Sequence, residues 1–72
     1  MSAGEKSRLR TLLHYWLDHN NEHSQEFREW AGKVKTFGEA EAYEQMLQAA
    51  QDMDKASESL SRALSRLEEK GL

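Results

Sequence analysis

The 72-residue chain contains no cysteine, which excludes disulfide frameworks, thiolate metal sites and thiol nucleophiles. It has no apolar run near the roughly 18 residues of a membrane span, and its mean hydropathy is -0.93. The opening residues lack the apolar core of a signal peptide, so a soluble, cytoplasmic protein is expected, with no membrane partner. Basic charge is not in excess: 10 Lys and Arg stand against 13 Asp and Glu, for a net charge of -3. Nucleic acid is therefore not an expected partner, because phosphate backbones are bound by clustered cations. Gly32 and Gly38 flank a turn and form no phosphate-binding glycine loop. Length is also short. One domain fits, and a single core below about 70–80 residues seldom supplies more than about 3–5 kcal/mol. A partner chain or a bound metal is expected to supplement it.

What is present is helical periodicity. Leu9, Leu12, Trp16, His23, Phe27, Trp30 and Val34 recur at steps of three, four or seven, the stripe of an amphipathic helix. Tyr43, Met46, Ala50, Met53, Ser57, Leu60, Leu64 and Leu67 repeat the pattern with a heptad-like seam. Ser2 with Glu5 has capping-box spacing, Gly32 is a candidate C-cap, and the second segment enters on Glu39, Glu41 and Glu44 and leaves on Arg62, Arg66 and Lys70 before Gly71. The expected fold is all-α, an antiparallel hairpin with helix 1 at about residues 5–31, a connector at 32–38 and helix 2 at about 39–70. Folding about residues 35–37 would set Trp16 opposite Ala56 and Ser57, and His23 opposite Ala49 and Ala50. Two helices leave the far side of Trp16, Phe27 and Trp30 wet. A homodimer forming a four-helix bundle is expected to cover it, with Leu12, Trp16, Phe27, Trp30, Met46, Met53, Leu60 and Leu64 as packing residues.

Chemistry concentrates in the run His19-Asn20-Asn21-Glu22-His23-Ser24-Gln25-Glu26. At about 100° per residue His23 lies about 40° from His19, inside the apolar stripe, whereas His14 points about 140° away. His19 and His23 thus have the i, i+4 spacing at which two imidazoles share one metal ion, with Glu22 and Glu26 as neighbouring oxygen donors. The same run reads HxxEH, the inverted zinc-peptidase pattern, but a hairpin supplies neither a substrate cleft nor an oxyanion stabiliser, so no enzyme is expected. Nor does it carry the ExxH of di-metal carboxylate bundles. A His-dominated site for Zn²⁺, Ni²⁺ or Co²⁺ fits the donors better, completed by antiparallel packing of helix 1 on its twofold mate about residue 20. The plainer reading makes the histidines core residues that fix register, and the chain a module docking a larger protein. Met46 and Met53, one heptad apart, could ligate Cu(I) but read more simply as gap fillers. The serines of helix 2 have no base or oxyanion partner fixed by spacing.

Three consecutive motifs, Tyr15-Trp16, His19-Asn20-Asn21-Glu22-His23 and Phe27-Arg28-Glu29-Trp30-Ala31, resemble a family of short prokaryotic helical proteins of unknown function with HW, HNxEH and FRxWA runs on one helix. The resemblance spans residues 12–31 and implies the handling of a transition metal. Where that family places its first histidine this chain has Tyr15, with His14 one position away, so the resemblance implies no third ligand from helix 1.

Overall fold

The computed structural model describes residues 3–69. Two helices, α1 (Ala3–Thr36) and α2 (Ala40–Glu69), pack side by side as an antiparallel hairpin, about 52 × 14 × 14 Å. Its long axis is the length of one straight helix, since 34 residues at about 1.5 Å each span about 51 Å. The expected start at Ser2 and the exit at Lys70 and Gly71 lie outside the described residues.

Gly32 does not cap α1. The helix runs on to Thr36, and the turn falls at Gly38, whose φ of +82° lies in the left-handed region open to glycine. Phe37 and Gly38 donate their amides to the carbonyls of Val34 and Lys35, at 3.0 and 3.1 Å, tightening the last turn. A mid-helix glycine costs about 1 kcal/mol, too little to stop a helix when Ala31 and Val34 on either side of it are packed against α2. Lys33 and Lys35 sit in that last turn, where the helix dipole favours cations. They also cover rings, Lys33 over Trp30 at 4.2 Å and Lys35 over Tyr43 at 5.1 Å.

Between the helices, Leu13, Leu17, Asn20, Ser24, Phe27, Ala31 and Val34 line α1, alternating steps of four and three. Tyr43, Leu47, Ala50, Asp54, Ser57 and Leu64 answer from α2 at steps of three, four or seven, the periodicity of a left-handed coiled pair, with Leu60 and Leu67 half-buried at the edge of the seam. Leu13, Ala31, Ala50 and Leu64 are its buried apolar members. Phe27 and Val34 of the expected α1 stripe lie in this seam, but the rest is displaced by one residue: Leu12 and Trp16 remain 38% exposed and Trp30 53% exposed in the hairpin, and the positions beside them face α2. Small residues win the middle of the seam because Ser24, Ala31 and Ala50 let the backbones approach, where Trp16 and Trp30 would hold them apart. Phe27, Met46, Met53 and Leu60 are half-buried and Leu64 is buried.

One polar cluster locks the register. Ser24, 1% exposed, donates its hydroxyl to Asp54 Oδ1 at 2.7 Å, with the Ala50 carbonyl 3.5 Å away. Arg28 donates through Nη1 to the Ser24 hydroxyl and through Nη2 to Asp54 Oδ2 at 2.7 Å. Ser24 thus lies level with the turn between Ala50 and Asp54, about residue 52. Residue i of α1 therefore faces about residue 76 − i of α2, and the helix ends at Thr36 and Ala40 agree. The Arg28 guanidinium, with the Ser24 hydroxyl, holds the half-exposed Asp54 carboxyl below its usual value of 3.8. The expected opposition of His23 to Ala49 and Ala50 is corrected accordingly: Ser24 takes that place, and the histidine turns to the open face.

Candidate functional site

On that face, side chains four residues apart stack up the outside of α1 as helix geometry requires. Tyr15 and His19 are parallel, with centroids 5.5 Å apart; His19 and His23 meet edge to face at 4.3 Å; His23 and Phe27 stack at 5.9 Å. The aromatic neighbours fix the two imidazoles in place. His19 Nε2 and His23 Nε2 point at each other across 2.9 Å. On the other side of the His23 ring, Nδ1 lies 3.4 Å from Glu26 Oε1.

The nearby carboxylate favours the His23 proton on Nδ1. In that tautomer His23 presents a lone pair at Nε2, into which the Nε2–H of His19 can donate. Moving the His19 proton to Nδ1 leaves two lone pairs facing one point. A carboxylate on the outer nitrogen of a ligating histidine is the usual second-shell arrangement around metal ions. At metal–nitrogen bonds of about 2.0–2.1 Å, donors 2.9 Å apart subtend about 90° at the ion, the cis angle of octahedral or square-planar coordination. A tetrahedral ion needs about 3.3–3.4 Å, which a small rotation of either ring about χ2 supplies.

The four expected donors are not equivalent. His19 and His23 converge, Glu26 orients His23 from behind, and Glu22 is exposed without entering a described contact with either ring. His14 is exposed, on another side of the helix. Among the described residues no group of three His, Asp or Glu side chains converges on a position for a metal ion. Ser24, Arg28 and Asp54 were not singled out by sequence reasoning. The signal available for Ser24 and Asp54 was their spacing of three, four or seven from Phe27, Ala31, Ala50 and Ser57, positions where a polar residue must find a partner.

A family model described as a domain of unknown function, DUF8180, matches residues 9–67. The chain belongs to that family. The DUF8180 match takes in the whole two-helix seam from Leu13 to Leu67, the His19–His23 pair and the Ser24–Arg28–Asp54 cluster. Neither the curated proteins nor the solved structures yielded a match. No helix among the described residues is long and apolar enough to cross a membrane.

Proposed function

We propose that this DUF8180 hairpin is a small binding protein for a divalent transition-metal ion, with His19 and His23 as its ligands. The observation that carries the reading is the 2.9 Å approach of two Nε2 atoms on an open helix face. Glu26 is a positioning residue that holds His23 in the ligating tautomer. The near-90° bite favours Ni²⁺ or Co²⁺, with Zn²⁺ reached by a ring rotation. The remaining ligands come from water or from a second copy in a homodimer. The role is storage, delivery or sensing in the cytoplasm of a prokaryote, in keeping with the HNxEH-like run, and not catalysis.

Calorimetric titration of the chain, prepared without a histidine tag, with Ni²⁺, Co²⁺ and Zn²⁺ tests this. Saturable binding is expected, abolished by His19→Ala or His23→Ala, weakened about 10- to 100-fold by Glu26→Gln, and unchanged by His14→Ala. Absence of saturable binding at 0.1 mM metal, about the weakest useful affinity for a two-imidazole site, refutes it. The exposure of Trp16 and Trp30 favours a second reading, a non-metal interaction module in which the imidazole pair serves as a polar register element.

A further inference from the structure

The open face of α1 has a periodicity of its own. Leu9, Leu12, Trp16, His19, His23, Glu26 and Trp30 alternate steps of three and four, one residue behind the seam that faces α2. On α2, Ala42, Met46, Ala49, Met53, Ala56, Leu60, Ala63 and Leu67 alternate steps of four and three, likewise beginning one residue before the seam. One residue is about 100° of rotation, so each helix carries two contact stripes at nearly a right angle, as a helix with two neighbours in a four-helix bundle does. Both helices are right-handed and run in opposite directions, so a backward step rotates the two stripes toward the same side of the hairpin. They form one continuous apolar face. The opposite face, with His14, Asp18, Asn21, Gln25, Glu44, Gln48, Lys55 and Glu58, is polar and exposed.

The apolar face complements itself in size. Its α1 half carries Trp16, His23 and Trp30 at intervals of seven, and its α2 half carries the exposed Ala42, Ala49, Ala56 and Ala63 at the same interval. With residue i level with about 76 − i, Trp16 stands midway between Ala56 and Ala63, His23 between Ala49 and Ala56, and Trp30 between Ala42 and Ala49. The levels interleave as knobs and holes. The exposed area is also what a dimer needs. A compact monomer of this mass exposes about 4,600 Å², whereas this elongated hairpin exposes 5381 Å², so it has surface to lose on association, and a standard-size interface takes about 800 Å² per partner.

We infer that this face binds a second copy of the chain, with α1 of each copy lying in the alanine stripe of the partner's α2 around a twofold axis along the bundle. Trp16, His23 and Trp30 enter holes between successive alanines of the partner chain. Packing α1 on its antiparallel mate instead would set bulk against bulk and leave two alanine stripes facing each other. Because the other face of the hairpin is polar, association stops at two copies. The His23 rings of both copies then lie at one height, on helices facing each other across the core, where His19, His23 and Glu26 form the polar cluster of a mainly apolar interface. The inference deepens the homodimer named above and holds whether or not a metal binds.

Sedimentation equilibrium of the full chain in chelator, so that metal binding plays no part, is expected to give twice 8.3 kDa at 0.1 mM, a concentration about ten-fold above a micromolar-range dissociation constant. Ala56→Glu, at a position exposed within the hairpin, is expected to weaken dimerisation at least about 100-fold, because it fills the hole that takes the partner's Trp16 and brings a charge with no cation beside it. Cross-linking fixes the arrangement without relying on that variant, since the chain has no cysteine of its own. Mixed Glu26→Cys and Ala49→Cys chains are expected to join through a short bismaleimide, and Glu22→Cys chains alone are not. A monomer in chelator, a dimer joined through Glu22→Cys alone, or an apolar face occupied only by a different protein each overturns the inference. Failure of metal binding with the dimer intact overturns the metal reading alone.

Discussion

The two striped faces of α1, one against α2 and one open, have the same periodicity and different chemistry. Toward α2 the helix presents Leu13, Leu17, Asn20, Ser24, Phe27 and Ala31, mostly small or medium residues with a buried hydroxyl at the centre. Toward the open side it presents Leu12, Tyr15, Trp16, His19, His23 and Trp30, which hold most of its ring area. Residue size and burial within one chain therefore run in opposite senses. Close helix approach selects small residues and a satisfied polar cluster, while the bulk is left outside as surface for something else.

Variants that break this contrast should do so unequally. Leu64→Ala or Leu13→Ala empties a buried position of the intramolecular seam and is expected to cost about 2–4 kcal/mol in chemical denaturation, enough to unfold much of so small a protein. Ala50→Leu overfills the close approach and is expected to cost about 1–3 kcal/mol, whereas Ala49→Leu, one residue away and exposed, should leave a dilute hairpin within about 0.5 kcal/mol of the wild type. Ser24→Ala removes the hydroxyl shared by Arg28 and Asp54 and should cost about 1 kcal/mol in the same assay. Gly32→Ala sharpens the comparison from the other side. Nothing lies within 4 Å of the added Cβ, so the helix should gain about 0.5–1 kcal/mol.

Acid gives a further contrast. The Asp54 carboxyl titrates lower when folded than when unfolded, because Arg28 and Ser24 stabilise its charged form. Its contribution is therefore complete above the unfolded value near 3.8 and is lost as pH falls below that value toward and through the folded one. Thermal melts between pH 5 and pH 2 are expected to show a steeper loss for the wild type than for Asp54→Asn.

Much of the architecture was legible because local signals agreed. Spacings of three and four, an acidic entry and a basic exit identify α2 to within a residue of its observed start. The end of α1 was misread at Gly32, where a weak local stop competes with the packing of Ala31 and Val34, and the left-handed turn needs Gly38. The choice of intramolecular face was not legible from hydrophobicity. Two stripes one residue apart both satisfy a heptad, and on α1 the two tryptophans lie on the outer one. Convergence of His19 and His23 followed from their i, i+4 spacing, whereas the different tasks of Glu22 and Glu26 depend on rotamers that spacing does not specify.

Long-range ¹H–¹⁵N spectra of the histidine rings test the proposed role of the imidazole pair most directly. In the metal-free chain His23 should show the Nδ1–H tautomer set by Glu26, and addition of diamagnetic Zn²⁺ should shift the Nε2 resonances of His19 and His23 together while leaving His14 in place. Equal shifts at all three histidines, or no shift at His19 and His23, would contradict it.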